Sequence, residues 1–171
     1  MWTQFRYYGW NLLLAPGVVT HELGHAFFCW LSKTPIRKIK LFQFGNPAGY
    51  VEHAQPEKYY QAVLVAFGPL IVNSLLAMIF FAALKPPYWH YTNIIFAWLG
   101  LAASMHAIPS TGDARALWQT AKASFWKNPL AIVGWPFILV LHGLNWLKRW
   151  HLHFFYTLFL FWVGFVLLKA Q

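Results

Sequence analysis

His21-Glu22-Leu23-Gly24-His25 places two imidazoles and a carboxylate within five consecutive residues. On a helix, residues four apart share a face, so His21 and His25 can reach one divalent metal ion. That spacing, with a glutamate after the first histidine, suits a zinc hydrolase: the imidazoles hold the metal and Glu22 takes a proton from the water it activates. With eight His and three Glu in 171 residues, chance alone gives roughly 0.007 matches to the pattern. The motif lies inside an apolar stretch, residues 10–31, long enough to cross a bilayer. A carboxylate at that depth costs several kcal/mol unless compensated, and a bound cation is the direct compensation. Gly24 costs a helix about 1 kcal/mol relative to Ala, which fits close approach of a neighbouring helix or of a substrate backbone to the metal.

A catalytic zinc takes three protein ligands and keeps one position for water, so a third ligand must come from elsewhere. Asp113 is the leading candidate. It is the only Asp, in His106-Ala107-Ile108-Pro109-Ser110-Thr111-Gly112-Asp113, where Pro109 and Gly112 can turn the chain back toward the first span. A second reading has Asp113 capping a helix that begins near Ala114, and the two roles are compatible. His106 is the alternative ligand, while His53 and His90 fit interfacial positions. Gly68-Pro69-Leu70-Ile71-Val72-Asn73 lies in the second apolar stretch. Proline frees a helix carbonyl, and Asn73 must find a partner in an apolar layer. That partner is either a neighbouring helix or the substrate backbone or oxyanion near the metal. His142, Asn145, His151 and His153 carry no chemical role in this reading, and the last two fit interfacial positions.

The elements that must position these residues belong to a membrane protein. The chain is 59% hydrophobic and only 10% charged, against roughly 25% charged for a soluble domain. Five apolar stretches, residues 10–31, 59–84, 91–108, 129–147 and 152–168, approach the roughly 20 residues that cross a bilayer. Gly134, Pro136, His142 and Gly143 interrupt the fourth, which fits a broken or half-inserted helix. The net charge of +9 is distributed between these stretches, which favours anionic headgroups over nucleic acid as the partner. If five helices alternate, one side receives Lys33, Arg37, Lys38, Lys40, Lys58, Arg115, Lys122, Lys127 and Lys169. The other receives only Arg6, Lys85, Lys148 and Arg149. The positive-inside bias then sets the N-terminus outside and the C-terminus in the cytosol. Cys29, the single cysteine, excludes an intramolecular disulfide and a cysteine metal cluster. No cleavable signal peptide is expected, the first span directing insertion itself. Residues 36–44 are rich in strand formers, 45–49 supply turn chemistry, and Tyr50-Val51-Glu52-His53 can return as a second strand, giving a short β-hairpin rather than an irregular loop.

In this order the pieces resemble the site-2 protease family of intramembrane zinc metalloproteases. That family's core is one helix with His-Glu-x-x-His, one with a Gly-Pro…Asn element, and one leading to a zinc-binding Asp. This sequence shows the same order in residues 1–116, with residues 117–171 as C-terminal membrane segments outside the resemblance. The resemblance implies that His21, His25 and Asp113 bind one zinc ion per chain and that Glu22 is the general base. It also implies that Gly68, Pro69 and Asn73 belong to a substrate-binding element, and that the hairpin at 36–53 aligns an unwound substrate as an added strand. The sequence departs from the family pattern in places. Three residues rather than two separate Pro69 from Asn73, His106 stands for the usual Asn, and Ala114 stands for the usual Gly.

The expected fold is an all-α membrane protein: a polytopic helical bundle of about five transmembrane segments with a small membrane-associated β-hairpin after the first helix. The expected function is hydrolysis of peptide bonds in membrane-spanning or membrane-associated protein substrates, from a site open to the cytosol. One alternative is a non-proteolytic zinc-containing membrane protein that binds partners, against which the intact Glu22 argues. Another is a zinc hydrolase of lipids or small amphiphiles, which the hairpin suits less well than a peptide strand.

Overall fold

Pro16 decides where the first long helix begins. In a computed structural model, which describes residues 9–125, 135–147 and 151–167, a helical turn over 9–13 gives way at Leu14, and α1 then runs Ala15–Leu31. Proline has no N–H to donate and is favoured in a helix's first turn, which is where Pro16 sits. The stretch 10–31 is therefore bent, with a straight part of 17 residues. Its C-terminus closes by a Schellman arrangement: the Thr34 N–H donates to the Cys29 carbonyl at 2.8 Å and the Lys33 N–H to the Trp30 carbonyl at 3.1 Å. Lys33 takes the left-handed conformation usual for glycine there, φ 58°, and the chain leaves directly into the hairpin.

The hairpin forms as expected. Strand β1 (Ile36–Lys40) pairs antiparallel with β2 (Tyr50–His53), with Lys38 opposite Glu52, Ile39 opposite Val51 and Lys40 opposite Tyr50. The register is irregular between Ile36 and Lys38. The connecting loop is pinned by the Gln43 N–H, which donates to the Ala48 carbonyl at 2.7 Å. Gln61, buried at the start of the next helix, donates from Nε2 to the Ser32 carbonyl at 2.7 Å and accepts the Lys58 N–H at 2.8 Å. Both ends of the hairpin are thus fixed to the helices it connects.

Five more helices follow: α2 (Tyr59–Ala82), α3 (Tyr91–Met105), α4 (Thr111–Phe125), α5 (Trp135–Leu147) and α6 (Leu152–Phe161), the last continuing as a π-helical turn, Trp162–Leu167. Helix α2, 24 residues long, is the one helix among the described residues that is long and apolar enough to cross a membrane. At 1.5 Å per residue it spans about 36 Å. The expectation of five spanning segments therefore has one helix of full length behind it. The third segment stops at Met105, ahead of Pro109. Of the fourth, 129–134 lie outside the described residues, and from Trp135 the helix runs unbroken through Pro136, His142 and Gly143.

Helix α2 is the centre of the assembly. One cluster of buried side chains joins it to α4 and α5 through Ala62, Ala66, Ala114, Leu117, Ile138 and Leu141. Another joins it to α3 and α6 through Ala77, Phe81, Ala103 and Leu160. The Ser74 and Tyr156 hydroxyls bond at 2.7 Å, and the buried Thr157 hydroxyl donates to Ser104 Oγ at 3.0 Å, so α6 is tied to both α2 and α3 by polar groups. Helix α1 meets α3 where a Cβ on Gly17 would lie 1.9 Å from the Ala102 carbonyl oxygen, and meets α2 where one on Gly24 would lie 3.0 Å from Pro69 Cα. Only glycine permits the first of these contacts. The small residues bring three helix backbones close enough for side chains of one to bond main-chain groups of another.

Candidate metal centre

Each histidine of the motif is tied by its Nδ1 to a carbonyl of a different helix. His21 Nδ1 lies 2.6 Å from the carbonyl oxygen of His106, at the end of α3, and His25 Nδ1 lies 2.9 Å from that of Val65, in the second turn of α2. Carbonyl oxygens only accept, so both Nδ1 atoms carry the proton. That assigns the lone pair to Nε2 on each ring, the state in which neutral imidazole binds a metal. The rings meet edge to face at 4.9 Å between centroids.

Asp113 enters from α4. Ser110 and Asp113 form a reciprocal capping box: the Asp113 N–H donates to Ser110 Oγ at 3.2 Å, and the Ser110 N–H donates to Asp113 Oδ2 at 2.6 Å. The helix starts at Thr111 rather than near Ala114, so Ser110 is the capping residue and Asp113 sits in the first turn. Its other oxygen, Oδ1, lies 3.2 Å from His25 Nε2, and Oδ2 lies 3.9 Å from His21 Nε2.

Three electron-pair donors therefore converge, one from each of His21, His25 and Asp113, all within 4.8 Å of one another. With both Nδ1 protons committed to carbonyls, neutral rings turn only lone pairs toward the carboxylate, so a positive charge must lie among the three, either a metal ion or a proton shared between His25 and Asp113. Tetrahedral zinc with ligand distances of 2.0–2.1 Å sets neighbouring ligand atoms about 3.3 Å apart; the His25–Asp113 separation of 3.2 Å matches this, while His21 stands 3.9 Å from Asp113 and would draw in on binding. Two nitrogens and one carboxylate oxygen also form a donor set typical of catalytic zinc. The residues fit the ion.

A protein-family model described as "Putative zincin peptidase" matches residues 14–125, a segment that contains all three donors and Glu22. The chain belongs to that family of zinc peptidases. No curated protein and no solved structure matches it.

In this zincin chain Glu22 is 7% exposed and lines a cavity of about 850 Å³ together with His21, His25 and Asp113. The hairpin forms one wall: a Cβ on Gly49 would lie 2.8 Å from Glu22 Cγ, so the loop backbone rests on the glutamate itself. Tyr50, Val51 and His53 extend that wall along β2, and Leu14, Val18, Met105 and Ile108 supply apolar surface opposite. The side chain of His106 also lines the cavity, but its Nδ1 donates to the Ala102 carbonyl at 3.0 Å, and it is not one of the three converging groups. What His106 gives the centre is its carbonyl.

The Gly68, Pro69 and Asn73 element, which the resemblance gives to substrate binding, packs between α1 and α2. None of the three lines the cavity. Gly68 and Pro69 pack on Gly24 and Phe28 of α1. Asn73 is fully buried, its Nδ2 donating to the Gly17 carbonyl at 3.2 Å while Oδ1 has no hydrogen-bond partner. Of the four polar residues given no role, His153 lines the cavity from α6, and Asn145 Nδ2 lies 3.4 Å from the carbonyl of Ser110. Nothing local in the sequence points to His153, whose place depends on how α6 docks. Ser110 was findable, since Ser-x-x-Asp ahead of a helix is a cap signature.

Proposed function

We propose that the chain is an intramembrane zinc endopeptidase of the site-2 protease type, acting on membrane-spanning or membrane-associated protein substrates. The observation that carries this reading is the buried Glu22, set beside three converging metal donors in a cavity walled by a β-strand. Zinc, when bound, supplies a Lewis acid that lowers the pKa of a water toward about 7 and polarises a scissile carbonyl. His21, His25 and Asp113 hold it. Glu22 accepts the proton of the attacking water and passes it to the leaving amine nitrogen. Strand β2 is paired on one edge only, and residues along it line the cavity, so an unwound substrate segment can join it as a third strand. That addition presents a peptide bond freed from its own helical hydrogen bonds.

A bilayer as surroundings is supported by the outer faces of the helices, where Trp30 (72% exposed), Ile79 and Phe155 stand clear of any protein contact that would bury them. With the N-terminus outside, the basic hairpin and α4 lie on the cytosolic side, and the cavity opens there. The test is purified protein in lipid with single-span substrates, wild type against Glu22→Gln. Loss of the general base is expected to slow cleavage by about 10²–10⁴-fold with zinc content unchanged. Cleavage at the wild-type rate in Glu22→Gln would overturn the mechanism.

A further inference from the structure

Proline at position 69 removes the one main-chain N–H that an α-helix would direct at the carbonyl of residue 65. In α2 that carbonyl, on Val65, is the acceptor for His25 Nδ1 at 2.9 Å. We propose that Pro69 is a positioning residue for the metal centre: by vacating the Val65 carbonyl it gives His25 the acceptor that fixes its ring and its tautomer. The proposal rests on reading the site as a metal centre.

The two halves of the arrangement need each other. A carbonyl freed by proline in a buried, apolar position costs free energy unless another donor reaches it, and Val65 is 4% exposed, with no access to bulk water. An imidazole that must present Nε2 to a metal needs an acceptor for its Nδ1 proton. Helix α1 brings the two together at the level where Gly24, next to His25 in sequence, lies against Pro69, a contact too close for any larger residue without displacement. The proline ring also crowds the carbonyl four residues back away from the helix axis. Pro69, itself fully buried, lies outside the lining of the cavity that holds the donors, and acts through Val65 and His25.

The experiment uses the full chain in detergent, with zinc affinity measured by competition against a chelator of known strength. His25→Ala is expected to abolish tight binding. Pro69→Ala, which returns an N–H to compete for the Val65 carbonyl, is expected to weaken zinc binding by about 10–100-fold. Lactic acid in place of residue 69, an ester with no N–H, is expected to restore most of the lost affinity, whereas a merely structural role for the ring would leave the ester as weak as Ala. Should Pro69→Ala not fold, the metal-free wild type still decides the matter. Imidazole nitrogen NMR is expected to find His25 protonated at Nδ1, and protonation at Nε2 instead would overturn the proposal. Wild-type zinc affinity in folded Pro69→Ala, alongside loss in His25→Ala, would remove the role of Pro69 and leave the metal reading standing. Undiminished zinc affinity in His25→Ala would remove both.

Discussion

Ser110 and Asp113 hold each other by two hydrogen bonds, and the bonds divide the carboxylate: Oδ2 accepts the Ser110 N–H at 2.6 Å, while Oδ1 faces His25 Nε2 at 3.2 Å. The start of α4 and the third metal donor are therefore the same residue in two capacities. Ser110→Ala removes the hydroxyl that accepts the Asp113 N–H. It is expected to cost about 1 kcal/mol of stability and, by loosening Asp113, to weaken zinc binding by roughly 10-fold. Thermal unfolding and chelator competition on the same preparation measure the two effects separately.

Removing the third donor itself separates Asp113 from its sequence-level rival. Asp113→Ala is expected to be purified without stoichiometric zinc, whereas His106→Ala is expected to keep it. The reason is that His21 bonds the main-chain carbonyl of residue 106, which any side chain there leaves in place. Elemental analysis of the two variants gives the answer, and full zinc in Asp113→Ala with loss in His106→Ala would reverse the assignment.

The hairpin loop offers a way to disturb the base without touching the metal. A Cβ at position 49 would lie 2.8 Å from Glu22 Cγ and 2.8 Å from the Leu41 carbonyl oxygen, so Gly49→Ala must push either the loop or the glutamate aside. Displacing a reacting group by about 1 Å can cost on the order of 100-fold in rate. The expected result is a fall in kcat with zinc content and unfolding temperature near wild type. An unchanged kcat would mean that the loop yields instead.

Asn73 can be assigned by where its loss is felt. Its Nδ2 bonds the Gly17 carbonyl between α1 and α2, and it lies outside the cavity lining. Asn73→Ala is expected to destabilise the fold by about 1–3 kcal/mol and to leave KM for the folded fraction unchanged. A raised KM with undiminished stability would return Asn73 to the substrate.

The chemistry was more legible in the sequence than the architecture. His21, Glu22 and His25 could be read because helical spacing of four is a local property, and Asp113 because it is the only Asp and follows a Pro- and Gly-containing turn. The hairpin was legible for the same reason, its strands and turn residues being contiguous. Lengths of the apolar helices were not, because Pro16 bends the first stretch and the third helix stops at Met105, where hydrophobicity still runs on through Ile108. Asn73 shows the other limit: its composition and setting announce a buried amide that needs a partner, but which carbonyl it finds depends on how Gly17 lets α1 settle. His153 depends on α6 docking beside α3, which no neighbouring residue encodes.

The acceptors for His21 and His25 and the carboxylate that completes the trio come from three separate helices, α3, α2 and α4. During synthesis, a chain extended only as far as the hairpin owns the motif but none of these partners. It has no means of fixing either ring and no third ligand, so its affinity for metal is that of two loose histidines. A half-made or misassembled copy is thus disarmed without an inhibitory segment, and becomes a hydrolase only when α4 has docked. Zinc in turn favours the assembled state, by RT ln(1 + [Zn]/Kd), so metal starvation would act on this protein as a folding defect before it acted as a catalytic one.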